Sequence, residues 1–385
     1  MRQEILRGVG RVLMVGFSGQ RIPEWLKEDL RQSAVSGVIL FSRNFEDVQG
    51  AAERVAELRA IAPHVLVGID QEGGRVQRLR SPFPELPPMS VLGRASDPDV
   101  VMRTGALLGE AVRSVGIDLN FAPVLDLQRE SRDTLVGDRS LGSDPERVSE
   151  LGAAFIRGIQ SSGVAACAKH FPGHGVTLED SHHALPRVQV PAMRLVQREL
   201  APFRAAVHAG VASMMSAHVV YESVDPRPAT RSPVWLKSYL RHRLGFRGVV
   251  VSDDLEMTGF GPSEDIGPQS VEAVKAGCDL LLVCRHVGQV RRVQAALCEA
   301  VSSGTLPRAR LEEAGRRLQI LRTAFPPAAP TWNTGRAARF QAARGRLLEA
   351  LGAAAEDGRP QPEKPMDPTA ASDFDDVDAS TDHSA

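Results

Sequence analysis

Eight short β-branched runs alternate with longer stretches of helical periodicity along this chain, and that rhythm restricts its fold more than any other feature. The expected strands are residues 12–16, 37–41, 65–70, 117–123, 164–170, 211–218, 248–253 and 279–284. Between them lie segments such as 23–36, 47–60, 99–115, 145–162, 191–209 and 233–243. These carry apolar residues at i, i+3, i+4 spacing, and several open on Pro or on an Asp or Ser cap. The strands are almost continuously apolar, as in Gly-Val-Val-Val and Leu-Leu-Leu-Val, which suits a parallel sheet covered on both faces. Eight such units favour a single-domain α/β protein, a closed (β/α)₈ TIM-like barrel, over an open doubly wound sheet.

The barrel is expected to occupy residues 1–330, with a closing helix at 308–323. A Pro-rich break at 325–330 is followed by an Ala/Arg/Leu-rich segment, 335–355, expected as a peripheral helix within an extension spanning 331–355. Residues 356–385 read as a disordered acidic tail. Residues 361–385 hold seven acids and one lysine, so the rest of the chain carries forty-five basic against forty acidic residues. Overall, 46 basic and 47 acidic side chains give a net charge of −1, which disfavours a dedicated nucleic-acid or anionic-membrane binder. No run approaches a membrane span. The N-terminal Met1-Arg2-Gln3-Glu4 has no secretory-leader pattern, and Cys167, Cys278, Cys284 and Cys298 form no disulfide framework. A reducing cytoplasm is the expected compartment.

In such a barrel the chemistry collects at the C-terminal ends of strands, and the polar punctuation follows that rule. Strand three ends in Asp70 within Gly-Ile-Asp-Gln-Glu-Gly-Gly-Arg-Val-Gln-Arg (68–78). Strand four ends in Asn-Phe-Ala-Pro-Val-Leu-Asp (120–126). Strand five runs into Lys-His-Phe-Pro-Gly-His-Gly (169–175) and then Asp180-Ser181-His182, strand six ends at His218, and strand seven ends in Asp253-Asp254. Each has a plainer reading. Asp70 can cap a helix, Arg78 and Arg139 can form surface ion pairs, and Asp180 can make a loop turn. Lys169 can form a Schiff base or donate hydrogen bonds to hydroxyls. The six histidines between 170 and 218 invite a metal, but strand one lacks the H-x-H of barrel metallohydrolases, so no metal and no cofactor are expected.

Asp253 is the sharpest signal, because an acid at the mouth after four apolar strand residues is costly unless used or paired. If Val249 and Val251 point inward, Asp253 does too, and Asp254 points outward to cap the next segment. Asp180 and His182, two apart in a loop, suit an acid/base pair in which the carboxylate fixes the imidazole tautomer.

Taken in order, these motifs, together with Asp-Arg-Ser-Leu-Gly (138–142) and Ser-Asp-Asp-Leu-Glu-Met (252–257), resemble the bacterial β-N-acetylhexosaminidases of glycoside hydrolase family 3. The resemblance covers roughly residues 10–290. It implies a retaining glycosidase with no metal, in which Asp253 is the nucleophile and His182 the acid/base oriented by Asp180. Asp70, Arg78, Arg139, Lys169 and His170 become sugar ligands. It further implies a saccharide substrate, terminal β-linked N-acetylglucosamine on muropeptides, cleaved in the cytoplasm by a monomer with no nucleic-acid or membrane partner. A phosphorylase on the same fold, a Schiff-base lyase using Lys169 and a non-catalytic sugar-binding barrel are the competing readings.

Overall fold

The computed structural model describes residues 2–128, 136–177, 185–262 and 265–352. Its centre is a closed barrel of eight parallel strands: β1 Leu13–Val15, β2 Gly37–Leu40, β3 Leu66–Ile69, β4 Leu119–Asn120, β5 Ala165–Phe171, β6 Ser213–Ser216, β7 Val249–Asp254 and β8 Leu280–Val283. Each strand pairs with its sequence neighbours. The ring closes where Met14 of β1 pairs with Gly37 on one side and Leu282 on the other.

Alternation along the strands separates two cores. Met14, Ile39, Leu66, Leu119, Cys167, Val249, Val251 and Leu282 fill the barrel interior. Val15, Val38, Val67, Val250 and Val283 pack outward against the helices. Apolar residues on both faces explain the unbroken hydrophobic character of these strands. Gly68 makes room inside the barrel: a Cβ there would sit 2.9 Å from the Phe121 ring.

The floor is sealed by Leu318 and Leu321 of the helix Arg308–Ala324 and by Phe325, all packed on the interior cluster. Two buried carboxylates fix register at this end. Asp279, just before β8, accepts from the Val250 backbone N–H and pairs with Arg241, Arg310 and Arg317. Asp118, just before β4, accepts from the Val67 N–H and pairs with Arg59. Cations at the floor thus serve structure, as expected for the N-terminal face of a barrel.

The helices follow the sequence signals closely. Pro98–Val115 and Pro145–Ser161 each begin with Pro at the first position, behind an Asp that caps two backbone N–H groups. Residues 191–209 depart from a regular α-helix, because Leu195–Glu199 winds as a π-helix before Leu200–His208. Pro202 lacks the N–H that would bond Arg198, so the turn before it widens. Val234–Arg243 also takes the wider winding. A small antiparallel pair, Gln71–Gly73 with Val76–Gln77, follows β3 and turns at Gly74 (φ +59°). The C-terminal helix is Thr334–Leu351, capped by Asn333. The acidic tail expected at 356–385 lies outside the described residues. Among the described residues no helix is long and apolar enough to cross a membrane.

Candidate active site

Residues leaving the C-terminal ends of β3, β4, β5, β6 and β7 meet at the barrel mouth. The centre of the network is Glu72, almost fully buried, three residues past β3. Its carboxylate accepts two parallel hydrogen bonds from Arg139, Nε and Nη2 each at 2.8 Å, and pairs with Lys169 Nζ at 2.6 Å. Lys169 Nζ also reaches Asp70 at 2.7 Å, and Arg78 lies 3.8 Å from the other oxygen of Asp70. Burial alone would push Glu72 up, but the charges of Arg139 and Lys169 outweigh it and hold the acid well below its ordinary range. Burial likewise works against charge on Lys169, and the Asp70 and Glu72 carboxylates overcome it, keeping the amine an ammonium.

A second group hangs from Asp126, fully buried after β4. It accepts the backbone N–H groups of His170 (3.2 Å) and His174 (2.6 Å) and contacts His170 Nδ1 at 2.7 Å. Burial would raise this carboxylate, but His170 outweighs that and leaves it lowered. The contact fixes the His170 ring through Nδ1, so Nε2 is the nitrogen left to meet a ligand. Lys169 and His170 are adjacent in sequence, and regular alternation would send them to opposite faces. The β5–β6 register slips between Ala168 and Phe171, which breaks the alternation there, and the Lys169–His170 peptide is cis.

A similar slip marks β7, between Val251 and Asp254 against β8. Val249 and Val251 point into the barrel and Val250 points out. Pairing with β6 stays regular through Ser252, and Asp253 follows at the strand end. Asp253 is half-buried at this strand end. Its Oδ1 accepts the Asp254 N–H at 2.8 Å. Asp254 turns the other way, and its Oδ1 takes the N–H groups of Glu256 and Cys284, both at 3.2 Å. Burial, Glu256 and Asp253 together push its carboxyl up to about 7.

His218 holds this strand end from the side. Its Nε2 lies 3.0 Å from the Asp254 carbonyl and its Nδ1 lies 2.9 Å from Thr230 Oγ1. The carbonyl can only accept, so Nε2 carries the proton and the hydroxyl serves the other nitrogen. Burial lowers this histidine to about 4. NMR titration of the ring should therefore show a midpoint near 4, with the Nε2–H tautomer present at pH 6. A midpoint near 6.5 would contradict the buried neutral form. By linkage, acid between pH 6.5 and 4 weakens the fold through His218, since only the unfolded ring takes a proton. Asp254 acts in the opposite sense, because its raised carboxyl is protonated first in the folded state.

Of the residues singled out in the sequence, Asp70, Arg78, Arg139 and Lys169 share one network, His170 belongs to the second group on Asp126, and Asp253 ends the strand opposite β3. Asp180 and His182 lie outside the described residues. Sequence reasoning passed over Glu72 and Asp126, although both stood inside quoted motifs. Their signal was a carboxylate with no solvent-facing pattern around it, next to a strand end that must bury it. Among the described residues no group of three or more His, Cys, Asp or Glu side chains is placed to hold a metal ion.

The geometry has counterparts among known proteins. The description "Glycosyl hydrolase family 3 N terminal domain" matches residues 6–321. A β-hexosaminidase from Thiobacillus denitrificans is 42% identical over 281 residues, covering 71% of this chain and 78% of that protein. One from Chromobacterium violaceum is 41% identical, with 74% and 82% covered. Among solved structures, a family 3 β-N-acetylglucosaminidase from Paenibacillus sp. str. FPU-7 superposes with a TM-score of 0.85 at 37% identity, over 90% of this chain and 68% of that one. Native NagZ from Neisseria gonorrhoeae gives 0.75 at 34%, over 89% and 98%. With motifs, barrel and relatives in agreement, this chain belongs to glycoside hydrolase family 3, among its β-hexosaminidases.

Proposed function

We propose that the protein is a retaining, exo-acting β-N-acetylglucosaminidase that removes terminal β-linked N-acetylglucosamine, with muropeptides of cell-wall recycling as its cytoplasmic substrates. The observation that carries this reading is the place of Asp253 at the end of β7, the strand opposite β3 in the closed barrel, whose end carries Asp70 with Lys169 and Arg78. Asp253 attacks the anomeric carbon and forms a glycosyl-enzyme, while His182, oriented by Asp180, protonates the departing oxygen. The same imidazole then takes a proton from the water that releases the sugar. Asp70, Lys169, Arg78, Arg139 and His170 hold the ring hydroxyls and the acetamido group, where contacts tighten as oxocarbenium character develops. Arg139 can serve only in part, since Nε and Nη2 are taken by Glu72. The likeness to the β-N-acetylglucosaminidase from Paenibacillus supports the choice of sugar.

The lyase reading loses ground on chemistry. A Schiff base needs a neutral amine, and Lys169 is kept charged by two carboxylates.

The test is a panel of aryl β-N-acetylglucosaminides, β-glucosides and β-xylosides, each run with and without inorganic phosphate. N-acetylglucosaminide cleavage, with the β-anomer released first and no sugar 1-phosphate, is expected. Phosphate-dependent turnover would move the assignment to a phosphorylase. His182→Ala is expected to slow poor leaving groups by ~10²–10⁴-fold and nitrophenolates far less. Equal losses on both would remove His182 from the acid role.

A further inference from the structure

Residues beyond 321 fall outside the family match, yet they reach the sugar-binding loop. From Phe325 at the barrel floor the chain runs past the C-terminal ends of two outer helices, held where Arg113 donates to the Pro326 carbonyl (2.8 Å), Arg59 to Ala328 (3.0 Å) and the Thr331 N–H to Ser114 (2.7 Å). The next residue, Trp332, stacks between Phe83 (centroids 5.8 Å) and Phe340 (6.1 Å). Phe83 and Phe340 are buried, so the stack is a core element rather than a surface contact. Gln341 Nε2 then donates to the carbonyls of Pro82 (3.1 Å) and Phe83 (3.0 Å), and Arg344 Nε donates to that of Glu85.

The clasped residues lead by short bonds to Arg78. The Leu86 N–H donates to Gln77 Oε1 (2.9 Å), and the Leu86 carbonyl accepts the Gly74 N–H (2.9 Å). Gln71 Oε1 accepts the N–H groups of Arg78 (2.8 Å) and Leu79 (3.0 Å). The guanidinium itself is loosely tied. It has the 3.8 Å approach to Asp70 and a 5.6 Å approach to the Phe41 ring, and its Nε is buried with no hydrogen-bond partner among the described residues. Where the head group sits must therefore follow from where the loop holds its backbone.

We propose that residues 325–351 brace the sugar-binding loop, with Trp332, Gln341 and Arg344 acting as positioning residues for Arg78. The inference rests on the reading of Arg78 as a sugar ligand given above. It assigns the C-terminal extension a part in substrate affinity, with no contact to the substrate itself.

The full-length chain should be compared with Trp332→Ala, Trp332→Phe and a Gln341→Ala/Arg344→Ala variant, the last removing only polar contacts in case the Trp332→Ala core does not fold. Hydrogen exchange of the Gly74 and Leu86 amides is expected to speed up by roughly tenfold in the alanine variants, while Trp332→Phe stays near wild type. On p-nitrophenyl N-acetyl-β-glucosaminide, KM should rise by about 5–10-fold with kcat within about twofold. In an Arg78→Ala background the same substitutions should leave KM nearly unchanged, since the effect passes through that residue. Unchanged exchange would overturn the brace, as would losses that multiply independently of Arg78 or that fall on kcat. A wild-type protein inactive on this substrate would instead refute the sugar-ligand reading, and the exchange measurement would still decide whether the segment holds the loop.

Discussion

Asp253→Ala is expected to lower kcat on p-nitrophenyl N-acetyl-β-glucosaminide by about 10³-fold or more, because no covalent intermediate can form without that carboxylate. Azide should restore part of the rate. The small anion fits the space the side chain vacates, attacks the anomeric carbon from the same face and yields the α-glycosyl azide. The fold should be kept, since Asp253 is half-buried and its charge works against the neighbouring Asp254. Removing it should also bring the Asp254 carboxyl down from about 7, which carbonyl-resolved NMR can follow. Turnover within tenfold of wild type, or rescue giving the β-azide, would take the nucleophile role from Asp253.

The second large effect belongs to Glu72, which sequence reasoning did not select. Glu72→Gln leaves Arg139 and Lys169 in a buried site without the charge that pairs them, although Asp70 still serves Lys169. Breaking a buried ion pair from one side costs about 3–5 kcal/mol, most of it from the uncompensated charge left behind. Denaturant unfolding should show that loss at pH 7. Activity should fall by ~10²-fold, as the two cations lose their fixed places among the sugar ligands. The sign of the pH dependence follows from a folded-state acid held below its ordinary 4.5. The contribution of Glu72 is complete above that value and fades as pH falls beneath it, so the gap between wild type and variant should narrow from about pH 5 to pH 2. A constant gap across that range would mean the cost arises from packing rather than charge.

The legible part of this site and the missed part differ in a physical way. Asp253, Asp70 and Lys169 stood out because each is a charged residue ending an apolar strand, where its position alone demands a use or a partner. Glu72 and Asp126 were harder to see, because each lies just beyond its strand and its partners come from far along the chain: Arg139 sixty-seven residues away and His170 forty-four. Nothing local marks such a pair. The C-terminal helix was legible as a helix from its composition, and the structure adds the Asn333 cap. That it clasps residues 82–85 depended on contacts some 258 residues apart in the chain.

Local physical rules therefore account for the eight strands, most of the helices, the closed parallel architecture and the end of the barrel at which the polar residues gather. They also place Asp253 at the end of β7, on the face of the barrel where the polar residues gather. What required the folded structure was every place where alternation fails or distant charges meet. The register slip in β5 lets the adjacent Lys169 and His170 serve one site. Glu72 becomes the centre of the mouth because burial removes water and leaves Arg139 and Lys169 to hold its charge. A strand period is a property of neighbours in sequence, whereas the pairing of buried charges is settled by which surfaces packing brings together.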